Sequence, residues 1–187
     1  MKKGEANRKR IVDAANQLFY HKGYNQTAFS EVADASGIPK GNFYYYFRSK
    51  EELLEAVIDD RLAGIKQMLA EWQRDIPTPR ARLHRYAQIP LNELDDVLRY
   101  GCPMGSLNVE LGKNQLHLQS QATEMFSLFR GWLEQQFDEL GLGEKKVEYA
   151  LHLLSVAQGA ALIGNVYRDR TFIAAEVARM DKWIATL

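Results

Sequence analysis

Apolar residues in this chain recur at helical spacing from end to end and nowhere sustain the two-residue rhythm of a strand. That pattern leaves an all-α fold. Ile11, Ala14, Ala15, Leu18 and Phe19 follow the i, i+3, i+4, i+7, i+8 spacing of one buried stripe. Gly23 suits the end of that helix. Thr27 is placed to cap a second, short helix that buries Phe29, Val32 and Ala33, as a hydroxyl accepts from the first free N–H groups. After "ASG", a third helix is predicted from about Pro39, whose fixed φ suits a first turn. Ser49 stands three residues ahead of Glu52, the capping-box spacing that opens a long fourth helix. Leu54, Ile58, Ile65, Leu69 and Trp72 lie along it.

The stretch "DIPTPRAR" breaks the pattern. Thr78 followed by Pro79 restarts it, and the new helix is expected to reach Leu98 or Tyr100 with a bend at Pro90. Beyond "YGCPMG" the periodicity predicts a short helix from Met104 to about Leu111 and a long one from Leu116 to Leu140. Two more follow, over Glu144–Tyr167 and Phe172–Leu187.

Charge divides the chain into a basic head and an acidic body. The 24 Lys and Arg balance the 24 Asp and Glu overall. Through Lys50, however, nine basic residues face four acidic ones, a balance of +5, and the remainder is therefore −5. Such asymmetry suggests a polyanion-binding module joined to a part with another task. The basic start "MKKGEANRKR" leads into no apolar signal segment, and no stretch is expected to supply the roughly 20 apolar residues that span a bilayer. A cytoplasmic location is the resulting expectation. The single cysteine, Cys102, excludes an intramolecular disulfide and suits a reducing compartment.

A short helix, an "ASGI" turn and a second short helix form the helix-turn-helix pattern, whose second helix enters the DNA major groove. Such a helix needs a small residue where the backbone nears phosphate, cations for that phosphate, and polar groups for base edges. Gly41, Lys40 and Asn42 supply these. Phe43 and Phe47, four apart, make the inner stripe. The run Tyr44, Tyr45 and Tyr46 then points sideways and outward toward phosphates or thymine methyls, with packing between helices the alternative, above all for Tyr46.

The segment "TAFSEVADASGIPKGNFYYYFRSKEEL" resembles the DNA-binding signature of TetR-family transcriptional regulators. Thr27, Gly37, Lys40, Gly41, Tyr44, Phe47, Lys50 and Leu53 carry the likeness, and Pro39 departs from it by replacing a Ser or Thr. The resemblance implies a three-helix DNA-binding domain over residues 5–65, with its motif at about 28–47. It implies a ligand-binding and dimerisation domain over 78–187. It also implies a near-palindromic double-stranded operator, bound by Lys40, Gly41, Asn42, Tyr44 and Tyr45, with Thr27, Tyr46 and Lys50 on phosphates. The homodimer would form through the last two helices, where Ala157, Gly159, Ala160, Ala161 and Gly164 permit close approach and Met180, Trp183, Ile184 and Leu187 give an apolar face. Members of the family mostly repress, and leave DNA when a small molecule enters the helical body. Control by a protein partner, or a helical small-molecule enzyme with an incidental basic head, are the alternative readings.

In the body, Cys102 precedes Pro103 and so flanks or caps a short helix. Free N–H groups at a helix start favour negative charge, and the thiolate is the reactive form of cysteine. The stretch is similar to one in electrophile- or oxidant-responsive TetR-like regulators; the alternative is a buried, inert thiol. Trp72, Tyr86, Tyr100, Met104, Met125, Phe126, Phe129 and Trp132 are candidates to line a pocket, with His117 beside them. No metal-ligand spacing, cofactor signature or catalytic triad is recognisable.

Overall fold

The computed structural model describes residues 3–187, and among them every regular element is a helix. Eleven α-helices follow in order: α1 (Lys3–His21), α2 (Phe29–Ser36), α3 (Lys40–Tyr46), α4 (Lys50–Asp75), α5 (Pro79–Ala87), α6 (Ile89–Asn92), α7 (Leu94–Tyr100), α8 (Pro103–Asn114), α9 (Leu116–Glu139), α10 (Lys146–Tyr167) and α11 (Arg170–Thr186). A 3₁₀ turn, Gly143–Lys145, leads into α10.

The chain forms two compact units. The first holds the chain through Gly64 together with Ser106–Glu124; the second holds Ile65–Gly105 and Met125–Leu187. This division differs from the predicted one, which assigned all of 78–187 to a single body. The end of α8 and the start of α9 belong with the basic head. α4 runs unbroken through the Gly64–Ile65 boundary.

In the first unit the predicted stripe of α1 is present, with Ile11, Val12, Ala15 and Phe19 buried. Gly37, at φ 64°, ends α2 in the left-handed region, which glycine enters without steric cost. The cap of α2 is not Thr27. Ala28 occupies that position, and its N–H donates to Glu31 Oε2 at 2.7 Å. The Thr27 hydroxyl instead donates to the Gly23 carbonyl at 2.7 Å, because its side chain turns inward. Ser49 caps α4 as expected, accepting from the Glu52 N–H at 3.1 Å, while Glu52 reaches back to the Arg48 N–H at 2.8 Å.

In the second unit, Thr78 accepts from the Ala81 N–H and caps α5 with Pro79 in its first turn. The helix expected to continue to Tyr100 is three helices instead, parted at Gln88 and Glu93. Pro90, with no N–H to donate, sits in the first turn of α6, where that group would have no helical partner anyway. One core joins α4, α5, α7, α9, α10 and α11, with Leu83, Leu133, Phe137, Leu153, Ile173 and Ile184 at its centre. The span Gly143–Tyr167 is long and apolar enough to cross a membrane by length and composition, contrary to the expectation that no stretch would be. One side of it, with Ala150, Leu153, Leu154, Ala157 and Ala161, is embedded in this core.

Candidate nucleic-acid interface

The third helix is seven residues long and presents two faces. Phe43 and Phe47 are wholly buried, and Phe29 stacks edge-on to Phe43 with ring centres 4.9 Å apart. That aromatic wedge fixes the helix against α2. A helix anchored on one side must direct the remaining positions outward. Tyr45 is 85% exposed and Tyr44 50% exposed. Lys40, Gly41 and Asn42 are exposed on the same short helix. Lys40 Nζ lies 3.4 Å from Asp34 of α2, an ion pair open to solvent on both sides. Nothing stands within 4 Å of a Cβ placed at Gly41, so the backbone there is open to approach.

The three tyrosines thus part company. Tyr44 packs its ring edge against Phe29 and Phe43 but keeps half its surface in water. Tyr45 projects freely apart from an edge contact with Tyr46. Tyr46 is half-buried, and its hydroxyl accepts from Asn7 Nδ2 of α1 at 3.3 Å.

Thr27 and Lys50 have other partners. Thr27 is 1% exposed. Lys50 Nζ donates to the carbonyls of Tyr24 and Thr27 at 3.0 and 3.1 Å and lies 4.4 Å above the Tyr24 ring. Tyr24 is itself fully buried, and burial, reinforced by the Glu51 and Glu110 carboxylates, pushes its phenol up to about 12. In this conformation both residues hold the turn between α1 and α2.

The body candidates fall into two groups. Trp72, Tyr86 and Phe129 belong to the core of the second unit, and Cys102, Met104 and Phe126 pack against it. Trp72 meets Trp132 edge-on at 5.7 Å, and Tyr86 meets Phe129 at 5.6 Å. Burial drives the Tyr86 phenol far above its ordinary range, with the neighbouring Cys102 thiol adding to the effect. The Cys102 sulfur, half-buried, accepts from the Gly105 N–H at 3.4 Å in the first turn of α8. Tyr100, the last residue of α7, is half-buried. His117 is exposed on α9 in the first unit.

One polar network in the body was missed by the reading of the sequence. Gln136 is fully buried and donates to Gln73 Oε1 at 3.1 Å, while Arg82, also buried, donates to Glu139 at 2.5 Å and to the Gln73 carbonyl at 3.3 Å. Gln136 lies four residues after Trp132 and three after Leu133, so its place on the apolar stripe of α9 was the available signal.

A short, basic, aromatic helix wedged by two phenylalanines onto its partner, ahead of a long helix that leads into a second helical unit, defines a helix-turn-helix DNA-binding regulator. Comparison with known proteins names the family. Residues 11–57 match the model of the bacterial regulatory proteins of the tetR family. A helix-turn-helix-type transcriptional regulator from the lacX 3′ region of Lactococcus lactis subsp. lactis is 31% identical over 167 residues, covering 87% of this chain and 85% of that protein. The transcriptional repressor NemR of Escherichia coli K12 is 32% identical over 105 residues, or 56% of this chain and 51% of NemR. The crystal structure of E. coli NemR in its reduced form superposes with a TM-score of 0.81 at 23% identity, covering 94% of this chain and 96% of that one. The chain belongs to the tetR family and is a DNA-binding transcriptional regulator.

Proposed function

We propose that the protein is a cytoplasmic, homodimeric repressor that grips a near-palindromic operator through α3 and releases it when the second unit meets an effector. The observation that carries this reading is the α3 face: Lys40, Gly41, Asn42, Tyr44 and Tyr45 are exposed on a helix whose opposite side is locked by Phe43 and Phe47. Lys40 and the tyrosine hydroxyls are suited to phosphates and Asn42 to a base edge. Tyr46, Thr27 and Lys50 act behind that face, through the contacts that fix α1, α2 and the turn between them.

The dimer reading is supported by α10. Its small residues Ala157, Ala160, Ala161 and Gly164 are buried within the chain's own fold, whereas Leu162, Ile163, Val166 and Tyr167 are exposed. Of the small residues expected at the subunit interface, these four face the chain's own interior, with Gly164 against Ile173 of α11, while Gly159 is half-buried with open space beside it; the large residues form the outward face. A second copy would cover that apolar face, as an exposed cluster of this kind marks an interaction site.

Two routes to release are open to the second unit, a ligand among Trp72, Tyr86, Met104, Phe126 and Phe129, or modification of Cys102. In support of the second, the sulfur stands at a helix start against a close-packed core. The repressor reading is tested by selecting duplexes from a randomised pool and measuring their affinity by fluorescence anisotropy. The selected duplex should contain two half-sites about 34–36 Å apart, one turn of DNA. Failure to enrich any duplex would refute it.

A further inference from the structure

The turn between α1 and α2 is held from two sides. From one side comes Glu110 of α8, more than eighty residues away in the chain but in the same compact unit. Its two carboxylate oxygens accept from consecutive backbone groups, the Tyr24 N–H at 3.0 Å and the Asn25 N–H at 2.7 Å. Gly23, at φ 92°, brings the backbone to the carboxylate, and a Cβ there would stand 3.4 Å from both oxygens. From the other side, Lys50 donates to the Tyr24 and Thr27 carbonyls. The peptide units of the turn are thus gripped at their donors by an anion and at their acceptors by a cation. Charge-assisted bonds of this kind are the strong class.

We infer that Glu110 is a positioning residue for DNA binding, a carboxylate latch from α8 that fixes the α1–α2 turn and thereby the seat of the helix-turn-helix. The inference rests on the DNA-binding reading of α3. The turn leads directly into α2, and α2 carries α3 through Phe29 and Phe43. A latched turn enters the complex already ordered; a loose one must be ordered on binding, and that ordering is subtracted from affinity. Glu110 lies outside the matched family segment 11–57, so the latch ties the DNA-binding helices to a later part of the chain.

The test uses full-length protein and the duplex selected by the wild type. Glu110→Ala removes both acceptors, and Glu110→Gln keeps one oxygen and loses the charge. Glu110→Ala is expected to weaken duplex binding about tenfold and to speed amide exchange at Tyr24 and Asn25 by a similar factor, while Phe43 and core amides keep their rates. Glu110→Gln should fall between, and it decides the matter if the alanine variant does not fold. Wild-type affinity in a folded variant overturns the inference. So does weakened binding with unchanged exchange at Tyr24 and Asn25, because the loss would then arise elsewhere. Were the DNA-binding reading itself at fault, wild type would select no duplex while the exchange difference persisted.

Discussion

Tyr45 and Lys40 owe their exposure to what lies beneath them. Phe43 takes the inward position of the seven-residue helix, and Phe47, expected on the same helical stripe, is buried instead as the extended residue just past its end, so a ring at 45 has nowhere to go but water. Neither residue supports the fold: Tyr45 has only an edge contact with Tyr46, and the Lys40–Asp34 pair is exposed and of the kind that contributes little to stability. The Lys40→Ala, Tyr45→Ala double variant should therefore lower duplex affinity at least about tenfold without moving the unfolding midpoint, and its salt dependence should flatten by about one phosphate contact. Asn42→Ala should instead lose about 1–3 kcal/mol of discrimination at one base position, read by competition between single-substituted duplexes. Gly37 contrasts with these surface residues. At φ 64° it permits the turn, and a Cβ there would meet Arg10 Nη2 at 3.0 Å, displacing the guanidinium that donates to the Ser36 carbonyl at 2.9 Å. Gly37→Ala should cost about 1–2 kcal/mol in denaturant unfolding, from the left-handed backbone alone. At this scale the sequence was readable where a residue type admits one placement, as with Gly37 or the buried phenylalanines. It was not readable for Thr27 and Lys50, whose hydroxyl and ammonium serve a phosphate or a backbone carbonyl equally well.

Two helix starts were legible for the same reason that they are stable: Ser49 and Thr78 each accept from an N–H three residues on, and that spacing is visible in one dimension, whereas at α2 the hydroxyl of Thr27 turned inward and left the cap to Ala28. Asp169 adds a third such cap, taking the Thr171 and Phe172 N–H groups at 2.8 and 3.0 Å for α11. The Thr171 hydroxyl, first, and these amides hold its carboxyl below the ordinary aspartate value of 3.8. A lowered value means that the stabilisation is complete above that ordinary value and disappears as pH falls through the folded-state value. Asp169→Asn keeps an acceptor but has no charge to lose. Its midpoint should match wild type near neutrality, and its fall from about pH 5 to about pH 3, read by thermal melts, should be shallower. The faces of α10 were not legible. That helix is apolar nearly all round, so no moment says which side turns inward. Its orientation is set by α11: a Cβ at Gly164 would lie 2.3 Å from Ile173 Cγ1, an approach that only glycine permits. The break of the predicted long helix into α5, α6 and α7 was equally hidden, since Pro90 signalled a bend but not two interruptions.

The proposed repressor requires two copies and two states. Leu162 and Val166 lie one turn apart on the exposed side of α10, each 61% accessible, so Leu162→Arg should leave the fold intact. Sedimentation should then show monomers with weakened operator binding; an unchanged dimer would place the interface elsewhere. Control demands more, because an effector shifts the balance only by binding the DNA-incompetent state better than the competent one. Cys102 has the surroundings for such a difference. Its sulfur, half-buried, accepts from Gly105 in the first turn of α8 and packs against the core that contains Trp72 and Tyr86. Interiors packed to native density do not absorb an added oxygen or alkyl group without displacement, and the element displaced would be the start of α8. Hypochlorite or N-ethylmaleimide should therefore lower wild-type affinity for the selected duplex at least about tenfold, a shift of about 1.4 kcal/mol. Cys102→Ser should bind that duplex as tightly as wild type and keep its affinity after the same treatment. If treated Cys102→Ser dissociates as readily as treated wild type, the thiol is no switch, and a ligand among Trp72, Tyr86 and Phe129 becomes the route to release.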